Sequence, residues 1–406
     1  MYQPFNILKI LMSFMCIHPP KFCTTSELKL SMYNFLTGLA VAIELLSYVF
    51  YFPSTFFMYK SGSELTPFQA FIALYGISMM TQIFMMISTR SELMDIIQSI
   101  HEKYTADGVH AEVENEQSRK RSLRLFSAIT VLQVPTFLGG IINSEYIGNN
   151  EDSIKANIHF GRKNPERLIA YLPWLPYDYT ISPYFEVTKT LMYIALTMGC
   201  ISMMVRYSLL PMLTFYINGQ FDMIAKRFES LKPTDEKPES DGRKLIEESL
   251  LNDVIRSHQQ ALSLSKRVIV YFRPIIVIKT IFYFGILADL LYAVTEQTAG
   301  TAQQINCCFC LMSCGYELLL DCWCGEYIAR KSQLVGFAAY KSEWHNMSFK
   351  VRRSLAIVIT RAQKPEQLNG RTGFIPMSLE TYIQIFKASY SYYTVLQNLN
   401  KSDPQI

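Results

Sequence analysis

Histidine is scarce in this chain, six residues in 406, and His101-Glu102 is not followed by the second histidine of a zinc-protease helix. Neither a Gly-x-Ser-x-Gly elbow nor a phosphate-cradling glycine loop occurs, so the residues offer no basis for an enzyme. The nine cysteines do not fill that gap. Cys307, Cys308, Cys310, Cys314, Cys322 and Cys324 crowd one stretch while the histidines lie elsewhere. That pattern suits small, weakly polar contacts between helices better than a metal centre, with one or two left as ligand contacts, and it implies no cofactor. Apolar residues 1–15 lead into His18-Pro19-Pro20 without a small-residue cleavage site. No cleavable signal peptide is therefore expected, and the segment reads as an amphipathic or re-entrant helix on the cytoplasmic face.

Charge is missing in long runs. Only 18% of residues are charged, and 67–89 holds none in 23 positions. A bilayer core of ~30 Å needs about 20 mostly apolar helical residues. Seven segments qualify, at 34–53, 67–89, 125–147, 187–217, 268–294, 300–325 and 374–399. Glu44 is the sole charge in the first; Lys189, Arg206, Arg273, Lys279, Asp289, Glu317 and Asp321 interrupt the fourth to sixth. Charges in such helices face protein or water, which points to a polar-lined bundle. The expected fold is all-α, a seven-helix polytopic membrane protein.

Lysine and arginine alternate between connections. The N-terminal tail and connections 2–3, 4–5 and 6–7 hold nearly all of those outside the segments, whereas the others hold only Lys60, Lys155, Arg162, Lys163, Arg167 and Lys401. Short cytoplasmic loops carry the basic excess, so the N-terminus is expected inside and the C-terminus outside, the reverse of a G-protein-coupled receptor. This divides the chain into a cytoplasmic segment 1–33, helices one to four over 34–217 with an extracellular loop at 148–186, a cytoplasmic loop and helix extension 218–267, helices five and six over 268–325, a cytoplasmic segment 326–373, helix seven at 374–399 and an extracellular tail 400–406.

Helices four to six overrun the membrane on the same side and should pack into a small intracellular anchor. Glu317 and Asp321 stand one turn apart on one face of the sixth, and a basic helix at 349–361, with Lys350, Arg352, Arg353 and Arg361, is a candidate partner for them. Outside, Leu172-Pro173-Trp174-Leu175-Pro176-Tyr177-Asp178 and Ser182-Pro183-Tyr184-Phe185 combine stiff prolines with large rings. A loop so apolar is expected to fold over the bundle as a lid. At helical spacing the seventh segment gives a bulky face of Tyr382, Phe386, Tyr390 and Tyr393. Its smaller, mixed face carries Ala388, Ser391, Val395 and Leu399, with Gln397 and Asn398 near the outer end. Either this is an interior helix with a tyrosine stripe, or several copies enclose a pore closed by wetting and dewetting of an apolar ring.

The stretch Thr381-Tyr382 and Phe386-Lys387-Ala388-Ser389-Tyr390-Ser391-Tyr392-Tyr393-Thr394-Val395-Leu396 resembles the C-terminal signature of insect odorant receptors, and the Leu172–Tyr184 motifs resemble that family's second extracellular loop. The resemblance implies an odorant-gated, non-selective cation channel in the plasma membrane of olfactory neuron dendrites. It implies a tetramer combining an odorant-binding subunit with a shared coreceptor. This chain lacks the coreceptor's long 4–5 insertion and so resembles a tuning subunit. Val395 and Leu399 fall on the gate, Gln397 and Asn398 at the outer pore, and Trp174 and Tyr177 as lid anchors. The ligand is expected in the outer half of the bundle, among Phe71, Tyr75, Val134, Phe137, Met192, Leu196, Tyr283, Cys307 and Cys310. Gustatory receptors share the architecture and are the nearest alternative. A G-protein-coupled receptor, or a membrane enzyme or transporter, stands further off.

Overall fold

The computed structural model describes residues 12–13, 26–60, 67–106, 157–169, 175–232, 241–295, 301–368 and 376–402, with 117, 120–125, 127–129, 131 and 154. Among them there is no strand. The helices are α1 Glu27–Lys60, α2 Pro67–Ser88, α3 Arg90–Ala106, α4 Tyr184–Glu229, α5 Asp241–Thr295, α6 Thr301–Lys341, α7 Phe349–Ala362 and α8 Leu379–Ser402. A 3-10 turn, Trp344–Asn346, precedes α7. Most of the third apolar segment lies outside the described residues, as does all of 1–33 before Ser26 except Met12 and Ser13.

Five helices among the described residues are long and apolar enough to cross a bilayer: α1, α2, α4, α5 and α6. Their outward faces carry Phe35, Leu39, Phe84, Leu191, Ile281, Phe309 and Met312, all exposed, a surface suited to lipid rather than water. The seventh segment falls outside that group because α8 carries a polar stripe: Glu380, Gln384, Lys387, Ser391, Thr394 and Asn398 recur at spacings of three and four. The helix also starts at Leu379 rather than 374. Ser378 Oγ accepts the Thr381 amide at 3.2 Å, an N-cap, and Glu326 of α6 accepts the Leu379 amide at 3.0 Å.

The axis of the fold is α4, in which every residue from Val205 to Asn218 is buried. A helix enclosed on all sides can carry no polar face to solvent, and its polar groups must find partners within the protein. Helices α1, α5 and α6 pack around it, α2 reaches it through the side chains of Tyr75 and Gln82, and α8 lies across α5 and α6. At the end of the bundle away from Tyr184, the extensions of α4, α5 and α6 pack with α3 and α7. Lys331 meets Asp222 at 2.5 Å, Lys350 meets Glu248 at 2.6 Å and Glu247 accepts the Ser348 amide at 3.1 Å. Helix α7 buries Val351, Leu355, Val358 and Ala362 along one stripe. It seats on Gly336, where a Cβ would come within 2.6 Å of the Ala362 methyl.

The basic helix therefore does not answer Glu317 and Asp321. Lys350 pairs with Glu248, Arg361 pairs with Glu366, and the two acids are taken by Lys279 of α5. Amphipathic burial fixes α7 against α6, and its charges point away from the core.

His258 of α5 is buried in this extension, edge-on to Phe228 at 6.4 Å, with no partner for Nε2 among the described residues. Burial, aided by Arg361, pushes its pKa down to about 4. The folded protein thus binds fewer protons than the unfolded chain between that value and the ordinary histidine range near pH 6.5. Stability is full above about pH 6.5 and falls by up to roughly 3 kcal/mol as pH drops toward 4. Thermal unfolding of purified protein between pH 7 and pH 4.5 should show a smaller acid loss in His258→Phe than in the parent chain.

Candidate functional site

A chain of polar side chains crosses the apolar bundle. Lys279 Nζ lies 3.0 Å from Glu317 Oε1 and also pairs with Asp321, with all three side chains buried. Tyr283, one turn along α5, donates to Glu317 Oε2, and Tyr207 of α4 is a further side-chain partner of that carboxylate. The Tyr207 hydroxyl meets that of Tyr75 on α2 at 2.8 Å. Arg206 donates to Gln82 Oε1 at 2.9 Å and to Met79 Sδ, and the charge of its guanidinium acts on the Tyr75 hydroxyl. The Gln82 amide is oriented by this contact, since its nitrogen donates to Ser78 Oγ at 3.0 Å. Farther along the bundle, Ser202 donates to Glu44 of α1 at 2.9 Å. Lys279 and Arg206 balance Glu317 and Asp321, so charges that would each cost several kcal/mol in isolation form a neutral set.

Of the expected ligand residues, Phe71, Tyr75, Tyr283 and Cys310 fall in this core. The Phe71 and Tyr75 rings lie 5.7 Å apart. Cys307 is also buried, one turn before Cys310 on α6. Met192 is placed elsewhere, against the small cluster of Ile169, Leu175 and Tyr179, and Leu196 is half-buried one turn beyond it. Val134, Phe137 and Trp174 lie outside the described residues. Arg206, Tyr207, Gln82, Lys279 and Glu317 were absent from the expected set. Arg206, Lys279 and Glu317 stand out in sequence as charges within apolar helices, but nothing in the linear pattern pairs residues on different helices.

The outer loop is tied down by side chains. Arg162 donates to the carbonyls of Leu175, at 2.7 Å, and Tyr177, and Arg167 and Asn164 donate to the Thr180 carbonyl at 3.2 and 3.1 Å. Asp178 accepts the Lys163 amide at 3.1 Å and the Thr180 hydroxyl at 2.6 Å. Slight burial opposes ionisation of Asp178, but Thr180, the backbone amides of Lys163 and Thr180, and Arg162 hold its carboxyl below the ordinary range. Asn157, Ile169, Leu175, Tyr179 and Thr180 are buried here. Tyr177, expected as an apolar anchor, is exposed, its ring beside Tyr184 and its hydroxyl 2.9 Å from Thr188.

On α8 the buried stripe is Thr381, Ile385, Ser389 and Tyr393, and Tyr382 and Phe386 pack on the core. Tyr390 of the expected bulky face is exposed instead. Ser389 takes the interior position because its hydroxyl donates to the Phe284 carbonyl at 3.3 Å. Val395 and Asn398 are exposed and Gln397 is half-buried, while Leu399 lies within α8. The base of α8 is clamped on α6, where a Cβ at Gly325 would stand 2.4 Å from the Met377 carbonyl oxygen.

A family model described as 7tm Odorant receptor matches residues 64–390. Odorant receptor 67c of Drosophila melanogaster is 25% identical over 313 residues, 75% of this chain and 72% of that protein. Odorant receptor 85f of the same fly is 34% identical over 83 residues, 20% of this chain and 21% of that protein. The olfactory receptor OR5 of Machilis hrabei, solved in complex with eugenol, superimposes with a TM-score of 0.73 over 98% of this chain and 99% of that one, at 14% identity, a likeness of fold.

Removing Lys279 leaves Glu317 and Asp321 in the core without the cation that holds them. Lys279→Met is expected to destabilise the detergent-solubilised protein by about 3–5 kcal/mol. Replacing all three, Lys279→Met with Glu317→Gln and Asp321→Leu, should recover a large part of that loss, as read by thermal unfolding.

Proposed function

This chain belongs to the 7tm odorant receptor family, and we propose that it is the odorant-binding subunit of a heteromeric, ligand-gated, non-selective cation channel. It is a membrane protein, and its relatives are receptors rather than enzymes. One observation carries the channel reading: on α8 the polar stripe Glu380, Gln384, Lys387, Ser391 and Asn398 is exposed, opposite the stripe that packs on α5 and α6. A helix that presents polar groups away from its own subunit suits a water-filled axis shared with other subunits. In this reading Val395 and Leu399 form the apolar gate, with Gln397 and Asn398 at its outer side.

The partner is an odorant coreceptor, and the assembly a tetramer. Support comes from the anchor, where Leu245, Phe337, Tyr340, Phe349 and Ile357 are exposed in a region expected to lie in the cytoplasm, an apolar surface suited to neighbouring subunits. The ligand is a volatile, weakly polar molecule held near Phe71, Tyr75, Tyr283 and Cys310, beneath the loop that contains Trp174 and Tyr177. The basic excess of the 2–3, 4–5 and 6–7 connections supports an inside N-terminus. Dendrites of olfactory neurons are the corresponding site of action.

Voltage-clamp recording from cells expressing this chain with and without an insect coreceptor, exposed to a broad volatile panel, tests the proposal. Fast cation currents that need both subunits and no G protein are expected. Currents that require a G protein, despite surface expression of both chains, would contradict it.

A further inference from the structure

We propose that the site selects ligands by the direction of a hydrogen bond, favouring volatile molecules that donate a hydroxyl proton, such as alcohols and phenols, over ketones and ethers of the same shape, because Tyr75 can only accept. The inference rests on the odorant-receptor reading. Each phenol carries one proton, so the direction of every bond in the chain follows from its ends. At one end the Glu317 carboxylate, ion-paired with Lys279 at 3.0 Å, accepts from its neighbours and donates nothing. Tyr283 spends its proton there, and Tyr207, whose leading electrostatic neighbour is Glu317, is oriented the same way. The Tyr207 oxygen is then the acceptor in its 2.8 Å contact with Tyr75, and takes the Tyr75 proton.

The other end agrees. The leading electrostatic neighbour of Tyr75 is the Arg206 guanidinium, a pure donor, whose positive charge repels a proton from that side of the Tyr75 oxygen. Tyr75 thus has its proton committed and only lone pairs to offer. It is also the least enclosed member of the chain, with 9% of its surface open against 3% for Tyr207 and 1% for Tyr283, and is the one placed here at the ligand. Phe71 on α2 and Cys310 on α6 each lie one helical turn from this level, away from the ions, and supply an apolar seat. A hydroxyl ligand donates to Tyr75. A ketone brings a second acceptor and leaves both lone pairs opposed.

The test uses secondary alcohols and the ketones that share their carbon skeletons. Potency is read as current from the chain co-expressed with a coreceptor, and binding as the ligand-induced shift in melting temperature of the purified protein. Alcohols should be favoured about three- to tenfold, the scale of one neutral hydrogen bond. Tyr75→Phe should erase the preference while keeping the order set by chain length. Tyr207→Phe releases the Tyr75 proton and should move the preference toward ketones. Equal or better binding of ketones by the parent chain overturns the inference whether or not current flows. Alcohol-selective binding without any current supports it and instead overturns the channel reading.

Discussion

Lys279 held between Glu317 and Asp321 is the constraint on which the bundle depends. Three ionised side chains buried together tolerate little sliding of α5 past α6, because a shift of one turn would part the charges in a medium that screens them poorly. Tyr207 and Arg206 extend the same constraint through α4 to Gln82 and Tyr75 on α2. Apolar packing alone cannot set register in a membrane, where a lipid tail is as good a neighbour as leucine; polar contacts and close backbone approach do it instead.

Helix α6 links the parts. Cys310 belongs to the apolar core, Glu317 and Asp321 to the ion set, and Gly325 and Glu326, one turn further, to the seat of α8. One continuous helix thus joins the ion set to the base of the helix that carries the polar stripe. Glycine at 325 matters through contact: any side chain there would drive Met377 and the start of α8 outward. Around this column, Arg162 ties down the outer loop at one end, and Lys331 and Lys350 staple the anchor at the other.

Segment two was legible in sequence to within a residue, since 67–89 has no charge and the helix ends at Ser88. The all-helical architecture and the family could likewise be read, the latter from the Phe386–Leu396 run. Pairings could not. Glu317 and Asp321 were recognisable as interior acids, yet their cation sits 38 residues before Glu317 on another helix, and the nearer basic helix at 349–361 proved to be an amphipathic strut with other partners. The start of α8 was misplaced because its cap comes partly from Glu326, 53 residues away. Tyr390 looked like a core ring by size, yet it is exposed, and its neighbour Ser389 takes the interior position with its hydroxyl on the Phe284 carbonyl.

In the proposed channel one face of α8 lines a water-filled path and the opposite face does not. Single cysteines on α8, studied with a charged, membrane-impermeant thiol reagent during ligand application, test it directly, with the parent chain as control for its own cysteines. Reagent should change the current through channels bearing Lys387→Cys, Ser391→Cys or Asn398→Cys, and leave Ile385→Cys and Ser389→Cys unaltered. Modification of Ile385→Cys and Ser389→Cys with the first three silent would rule out a path along that face.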